Sequence, residues 1–263
     1  MTVQSMRPEL SEGDIIRLMK GETSEERATV AHRLCRRIAT DVLSDDERLF
    51  ADEIIQILAK DTAELVRRTL SVTLRNSPRL PHSVAVQLAQ DVESVAIPLL
   101  ENSPVFSDED LIELVLSVTA AKQAAIAGRA TVSGALSEVI CEHASEIAVE
   151  TIAGNSGADL TDRAMEHSVE RFPANQTMHE NLVLRYHIPV HIAEKMVSLV
   201  SGQVFDLLIN RHELPAQMAI DLAAGARERA TIDLVEQAGR THDMPRFVSQ
   251  LILNGRLTQS LIL

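Results

Sequence analysis

Apolar residues recur every three or four positions along most of the chain, which is the spacing of one buried face of an α-helix. The clearest faces are Phe50, Ile54, Ile57 and Leu58, then Leu111, Leu114, Val115 and Val118, then Leu136, Val139 and Ile140. No stretch alternates between apolar and polar residues for long enough to predict a β-strand. The pattern therefore predicts an all-α protein.

Three short polar segments mark where helices begin. Residues 23–26 (TSEE), 44–47 (SDDE) and 107–110 (SDED) fit or approximate a capping box. In that motif a Ser or Thr side chain accepts a hydrogen bond from the backbone N–H three residues later. We expect a helix to begin at or beside each segment.

The sequence also repeats over a distance much longer than one helical turn. Apolar stretches end on a polar or turn-forming residue at positions 76, 102, 129, 155, 186 and 210, so the steps are 26, 27, 26, 31 and 24 residues. A short turn and a second amphipathic stretch follow each of these positions. Pro81, Pro189 and Pro215 fall where the second stretch begins, a place that tolerates Pro because first-turn N–H groups lack an intrahelical partner. The repeated unit is therefore a helical hairpin.

One hairpin cannot bury its own apolar face, whereas stacked hairpins share a continuous core. We therefore predict an α-solenoid of short hairpins over residues 61–263, preceded by a helical cap over residues 1–60, where the period is missing. The apolar stretch 257–263 has no capping unit after it. We expect the stack to be truncated or docked at that end, with homo-oligomerisation through this stretch as one alternative.

Composition narrows the class of protein. Aromatic residues make up 2% of the chain against 45% hydrophobic residues, which favours small-radius helix packing built from aliphatic side chains. The formal net charge of −13 disfavours nucleic acid as a partner, because that affinity comes from basic residues. Cys35 and Cys141 are isolated, as in a reducing compartment, and no apolar run is long enough to span a membrane. We expect a soluble, cytoplasmic protein.

One unit carries a family resemblance. It runs from Asn76 through the motif Leu-Pro-x-x-Val-x-x-x-Leu-Ala of residues 80–89 to Asp91, and parts of it recur over residues 123–136 and 149–158. The unit resembles HEAT-like helical repeats, in particular an uncharacterised bacterial family of HEAT-like domains of unknown function. The resemblance covers about residues 60–263. It implies a helical-repeat module whose relatives continue beyond this chain's last residue, and it implies no catalytic residue.

Arginines supply the candidate binding residues. They are Arg67, Arg68, Arg75 and Arg79 around one predicted hairpin, with Arg33, Arg36 and Arg37 on an earlier helix. Arg68 and Arg75 are seven positions apart and so share a helical face. One interpretation is a solvated face paired with Glu64 and other nearby acids. The other is an anchor for an acidic partner helix, a nucleotide or a phosphorylated segment, since guanidinium groups suit carboxylates and phosphates.

Other candidates for chemistry are weak. His187 and His191 stand four apart, but Pro189 between them spoils a common metal-binding face, so we expect a solvated helix start. Residues 154–157 (GNSG) indicate a helix stop, and GxSxG and GxxxxGK[ST] motifs are absent from the sequence. Arg129 lies at a repeat junction, where we expect it to bond backbone carbonyls or an acid of the next repeat. We therefore expect no catalytic residue, cofactor or metal.

The predicted function is that of a protein-interaction scaffold or adaptor in bacterial signalling or regulation, with another protein as its partner. The repeats offer a long surface and bring no catalytic motif with them. The alternative is a HEAT-like nucleic-acid-binding protein, which the arginines suggest and the acidic total opposes.

Overall fold

The structure is a computed structural model that describes residues 22–41, 43–185 and 188–197, together with positions 13, 16, 199 and 208. Within these residues it contains twelve α-helices and no β-strand, which confirms the prediction of an all-α fold for this part of the chain. The chain divides into two compact units, residues 1–172 and 173–263.

The first unit holds ten of the described helices. They are α1 (Ser24–Thr40), α2 (Asp45–Ala59), α3 (Glu64–Leu74), α4 (His82–Ala89), α5 (Glu93–Asn102), α6 (Asp108–Ser117), α7 (Ala120–Ala127), α8 (Gly134–His143), α9 (Glu146–Gly154) and α10 (Asp162–Arg171).

Successive helices of the first unit alternate between two layers. In the first layer α1, α3, α5, α7 and α9 pack side by side in that order. In the second layer α2 packs on α4, and α6, α8 and α10 pack in sequence. A contact of 2.9 Å between His82 Nε2 and Asp110 Oδ2 joins the start of α4 to the start of α6. This is the stack of helical hairpins that the sequence predicts, an α-solenoid.

The core between the layers is aliphatic, as the composition requires. Its largest fully buried side chains include Ile38, Ile54, Leu70, Leu99, Ile126 and Ile140. Cys35 and Cys141 are also buried, and the two are not joined in a disulfide.

All three predicted helix starts are confirmed. The Thr23 side chain accepts a hydrogen bond from the Glu26 amide at 3.2 Å at the start of α1. Complete capping boxes open α2 and α6, where Ser44 pairs with Glu47 and Ser107 pairs with Asp110. These starts follow from local sequence alone, because the donor and the acceptor of each box are three residues apart.

Polar side chains near several repeat junctions cap a helix of the preceding repeat. Arg129 donates from its two terminal nitrogens to the carbonyl oxygens of Leu100 at 2.7 Å and Ser103 at 2.8 Å, at the end of α5. This confirms the prediction that Arg129 bonds carbonyls at a repeat junction. The same arrangement recurs from Arg79 to Ile38 and Asp41, from Asn155 to Ala127 and Arg129, and from Arg171 to Cys141 and Ala144. Helix C-terminal carbonyls lack intrahelical donors, so these side chains supply them.

One inter-repeat contact was not predicted. Val132 and Ala158 form an isolated parallel β-bridge between the turns before α8 and after α9. Gly157 makes this approach feasible, since a Cβ at that position would lie 2.0 Å from the Ala130 carbonyl oxygen. Only a residue without a Cβ fits such a close backbone contact.

The second unit is described through two helices, α11 (Gln176–Val183) and α12 (Val190–Val197). Asn175 caps α11 by accepting a hydrogen bond from the Met178 amide at 2.8 Å. Pro189 directly precedes α12, as predicted. The predictions that concern positions 186 and 210, His187, Pro215 and residues 257–263 lie outside the described residues.

Candidate binding site

The four predicted arginines of the α3 hairpin do not share one environment. Arg68 and Arg75 are exposed, and Arg75 is the residue that follows the last turn of α3. They share their helical face with Leu65 and Val72, since the four positions are spaced three, four and three residues apart. Leu65 is 42% exposed and Val72 is 39% exposed, so two aliphatic side chains and two guanidinium groups alternate on this surface.

The Arg67 side chain points toward the next repeat and joins it to α3. Its Nε and Nη2 donate to the two carboxylate oxygens of Asp91 at 2.6 and 2.9 Å, and its Nη1 donates to the Asp61 carbonyl at 2.8 Å. The Arg67 guanidinium holds the pKa of Asp91 below its usual value. The side chains of Arg67 and Asp91 are both less than one fifth exposed, so this bidentate pair is partly desolvated.

Arg79 is also engaged with the fold. Its Nη1 donates to the carbonyl oxygens of Ile38 and Asp41, at the C-terminus of α1. Arg79 therefore links the turn after α3 to the preceding repeat. The remaining exposed arginines of this hairpin are Arg68 on α3 and Arg75 directly after it.

Arg67 belongs to a charged row that sequence reasoning missed. Arg27 on α1 forms the equivalent bidentate pair with Asp61, at 2.8 and 3.0 Å, and lowers the pKa of that carboxyl. Buried Lys122 on α7 donates to the carbonyl oxygens of Ala89 and Asp91, at 3.2 and 2.5 Å. The sequence did carry a signal for this row. Arg27 and Arg67 are each the fourth residue of their helix, and Asp61 and Asp91 stand two or three residues before the next first-layer helix.

α1 places further basic residues beside α3. Arg33 and Arg36 are exposed on α1, and neither they nor Arg68 and Arg75 form a hydrogen bond or an ion pair with any residue that the structure describes. His32 on α1 lies 3.3 Å from the Thr73 hydroxyl on α3. The exposed basic residues of α1 and α3 therefore lie on neighbouring helices of the first layer.

We call this surface the arginine face; it comprises Arg33, Arg36, Leu65, Arg68, Val72 and Arg75. Its positive charge is local. Helices α5 and α9 contain no Lys or Arg, and the one basic residue of α7, Lys122, is buried. Glu93, Glu101 and Glu146 are exposed on α5 and α9 instead. The basic surface therefore ends at α3.

A cavity of about 320 Å³ lies where α1 ends and α2 begins. Its lining is Ile38, Leu43, Arg48, Ala51, Asp52 and Arg79. The Arg79 guanidinium already bonds two carbonyls, and Arg48 pairs with Asp45 at 3.4 Å. We assign no ligand to this cavity.

Cys35, His179 and His191 lie in three different environments. Burial raises the pKa of the Cys35 thiol to about 12, so it is not a thiolate at neutral pH. Across the described ranges, no three His, Cys, Asp or Glu side chains converge as metal ligands would. His191 is exposed on α12, whereas His179 is fully buried on α11. Among the described helices, none is both long and apolar enough to cross a lipid bilayer.

Comparison with known proteins identifies the family of the chain. Neither a curated protein nor a solved structure matches the sequence. A bacterial family described as "Uncharacterised protein conserved in bacteria (DUF2336)" matches residues 95–263, which is more than half of the chain. The matched segment begins within α5, so the arginine face precedes it. The chain belongs to this conserved bacterial family.

Proposed function

We propose that the protein is an interaction scaffold that binds another protein through the arginine face and performs no chemistry itself. The observation that carries the proposal is the pair Arg68 and Arg75: two exposed guanidinium groups, without partners among the described residues, alternating with exposed Leu65 and Val72. Arginine and aliphatic side chains side by side can bind a partner by charge and by burial together.

The rigidity of α3 supports a binding role. Arg67 ties the helix to the next repeat through Asp91, and Arg79 ties the following turn to α1. A helix held at both ends loses little conformational freedom when a partner docks, so more of the contact energy appears as affinity.

The finer assignment to HEAT-like repeats is part of this proposal. It is supported by hairpins that stack in two layers and by side chains such as Arg129 and Arg171 that join successive repeats. A cytoplasmic location and a role in bacterial signalling or regulation also belong to the proposal. Buried cysteines that form no disulfide, Cys35 and Cys141, are compatible with a reducing compartment.

The direct test is an affinity pull-down of the full chain from native lysate, read by mass spectrometry. Wild type is compared with Arg68→Glu/Arg75→Glu after circular dichroism has established that both fold. The matched control is Arg163→Glu/Lys195→Glu, which makes the same charge change at two exposed positions away from α1, α2 and α3. We expect a reproducible partner that the control retains and the Arg68/Arg75 variant loses. Equal recovery of the partner by all three proteins would show that the arginine face is not the binding surface.

Nucleic-acid binding is the alternative, and the observation that favours it is the four arginines Arg33, Arg36, Arg68 and Arg75, which have no partner among the residues that the structure describes. It is the weaker candidate because exposed basic residues are absent from α5, α7 and α9, whereas a nucleic-acid backbone needs a continuous basic track. Titration of fluorescent duplex DNA at low salt tests it. Micromolar binding that Arg68→Glu/Arg75→Glu abolishes would replace the scaffold proposal.

A further inference from the structure

The outward face of α3 has a defined pattern. Leu65, Arg68, Val72 and Arg75 form a ridge opposite the buried side of the helix, and we call it the α3 ridge. Its two charges are seven residues apart, about 10 Å along the helix axis, with an exposed aliphatic side chain between them. A helix that satisfied this ridge would need two acidic groups at the same separation and an apolar group between them.

The chain itself carries that complement on α2. Asp46, Leu49, Glu53 and Gln56 are all exposed and lie opposite the buried side of α2, and we call them the α2 ridge. Leu49 is 71% exposed, the most exposed large aliphatic side chain among the described residues. Asp46 and Glu53 form no hydrogen bond or ion pair with any residue that the structure describes.

Three of the four positions of the two ridges are complementary when the ridges run antiparallel. Both have steps of three, four and three positions, so a single register aligns every position of one with a position of the other. In that register acid meets guanidinium at both charged positions and aliphatic meets aliphatic between them. The pairs are Asp46 with Arg75, Leu49 with Val72 and Glu53 with Arg68, and the fourth position sets Gln56 against Leu65.

We propose that the arginine face binds a second copy of this chain, whose α2 ridge packs antiparallel on the α3 ridge. The inference rests on the proposed function and names the occupant of that face. α2 lies in the second layer and α3 in the first, so the two ridges are different surfaces of one chain. Each copy therefore donates α2 to one neighbour and accepts α2 from another, a head-to-tail contact that extends into a ring or a filament.

Charge reversal on both ridges provides the test. Sedimentation velocity of the full chain at low salt should show concentration-dependent assembly, at about 10–100 µM because so small a contact is weak. Arg68→Glu/Arg75→Glu makes both ridges acidic, and Asp46→Lys/Glu53→Lys makes both basic. Each variant alone should stay monomeric over that range. An equimolar mixture of the two should recover assembly, because acidic ridges then meet basic ridges, and this recovery also shows that both variants are folded.

The contradicting outcomes are distinct. A wild-type chain that stays monomeric, or variants that assemble as wild type does, would overturn the self-association. A mixture that fails to assemble while Arg68→Lys/Arg75→Lys still does would overturn the ridge pairing. Assembly that resists both charge reversal and high salt would point to the apolar stretch 257–263 instead. If the chain is monomeric but the pull-down recovers a different protein that Arg68→Glu/Arg75→Glu loses, this inference fails and the proposed function stands.

Discussion

Arg129→Ala removes a side chain that joins two repeats without touching the arginine face. Its guanidinium reaches from the turn after α7 to the carbonyl oxygens of Leu100 and Ser103, at 2.7 and 2.8 Å. Burial lowers the pKa of Arg129, which marks the junction as partly desolvated. The substitution therefore removes two charge-assisted hydrogen bonds at once.

The expected loss of stability follows from those two bonds. A hydrogen bond that involves a charged group contributes about 1.5–3 kcal/mol, and an orphaned buried acceptor costs a similar amount. Leu100 and Ser103 are both fully buried, so water does not readily replace the lost donor. We expect Arg129→Ala to lower the free energy of unfolding by about 2–4 kcal/mol. Arg129→Lys should lose about half as much, because a single ammonium group is too compact to span both carbonyls as the guanidinium does.

Urea denaturation followed by far-UV circular dichroism measures this difference, with the m-value checked because repeat proteins can unfold in parts. Arg163→Ala is the matched control, since Arg163 is 63% exposed and its ion pairs to Glu138 and Glu142 span 3.7–3.9 Å. That control should lose less than about 1 kcal/mol. If Arg129→Ala were as stable as Arg163→Ala, the capping account of the repeat junctions would be wrong.

Three further substitutions test other parts of the structure. The Arg67 guanidinium holds the pKa of Asp91 low, so the pair stabilises the fold above about pH 4, and this stabilisation is lost as pH falls through the folded pKa. In Arg67→Met the free energy of unfolding, measured by urea titration, should therefore fall less between pH 5 and 3 than it does in wild type. Burial lowers the pKa of His179 from 6.5, so the fold loses stability as pH drops below that value. His179→Leu should therefore remove the fall in melting temperature between pH 7.5 and 5.5, and an unchanged fall would contradict this. Gly157→Ala should lose about 1–3 kcal/mol by overpacking in the same urea assay, whereas Gly128→Ala, whose Cβ would come no closer than 3.4 Å to a neighbour, should lose much less.

The parts of the fold that depend on nearby residues could be predicted from the sequence. Ser44 and Ser107 mark helix starts because a capping box needs only residues three apart. Pro81 and Pro189 mark second helices for a similarly local reason. The stacking of hairpins followed from the period, since a hairpin with one apolar face needs a neighbour.

The environment and partner of each arginine side chain could not be predicted in this way. Arg67 and Arg68 are adjacent in the sequence, yet one pairs with Asp91 and the other faces outward, because adjacent helical positions point about 100° apart. Which direction faces the next repeat depends on contacts 24 residues away in the sequence. The close approach of Gly157 to Ala130 depends on such contacts too, and the sequence shows there only a polar turn.

The central claim is that the arginine face binds a protein, and site-specific photo-crosslinking in bacterial cells tests it most directly. The photoreactive residue p-benzoylphenylalanine is placed at Val72, on the arginine face, or at Leu116, which is 60% exposed on α6 in the second layer. We predict a discrete intermolecular product from Val72 that disappears when Arg68→Glu/Arg75→Glu is added, and no such product from Leu116. Absence of an intermolecular product from Val72, or equal products from both positions, would contradict the claim.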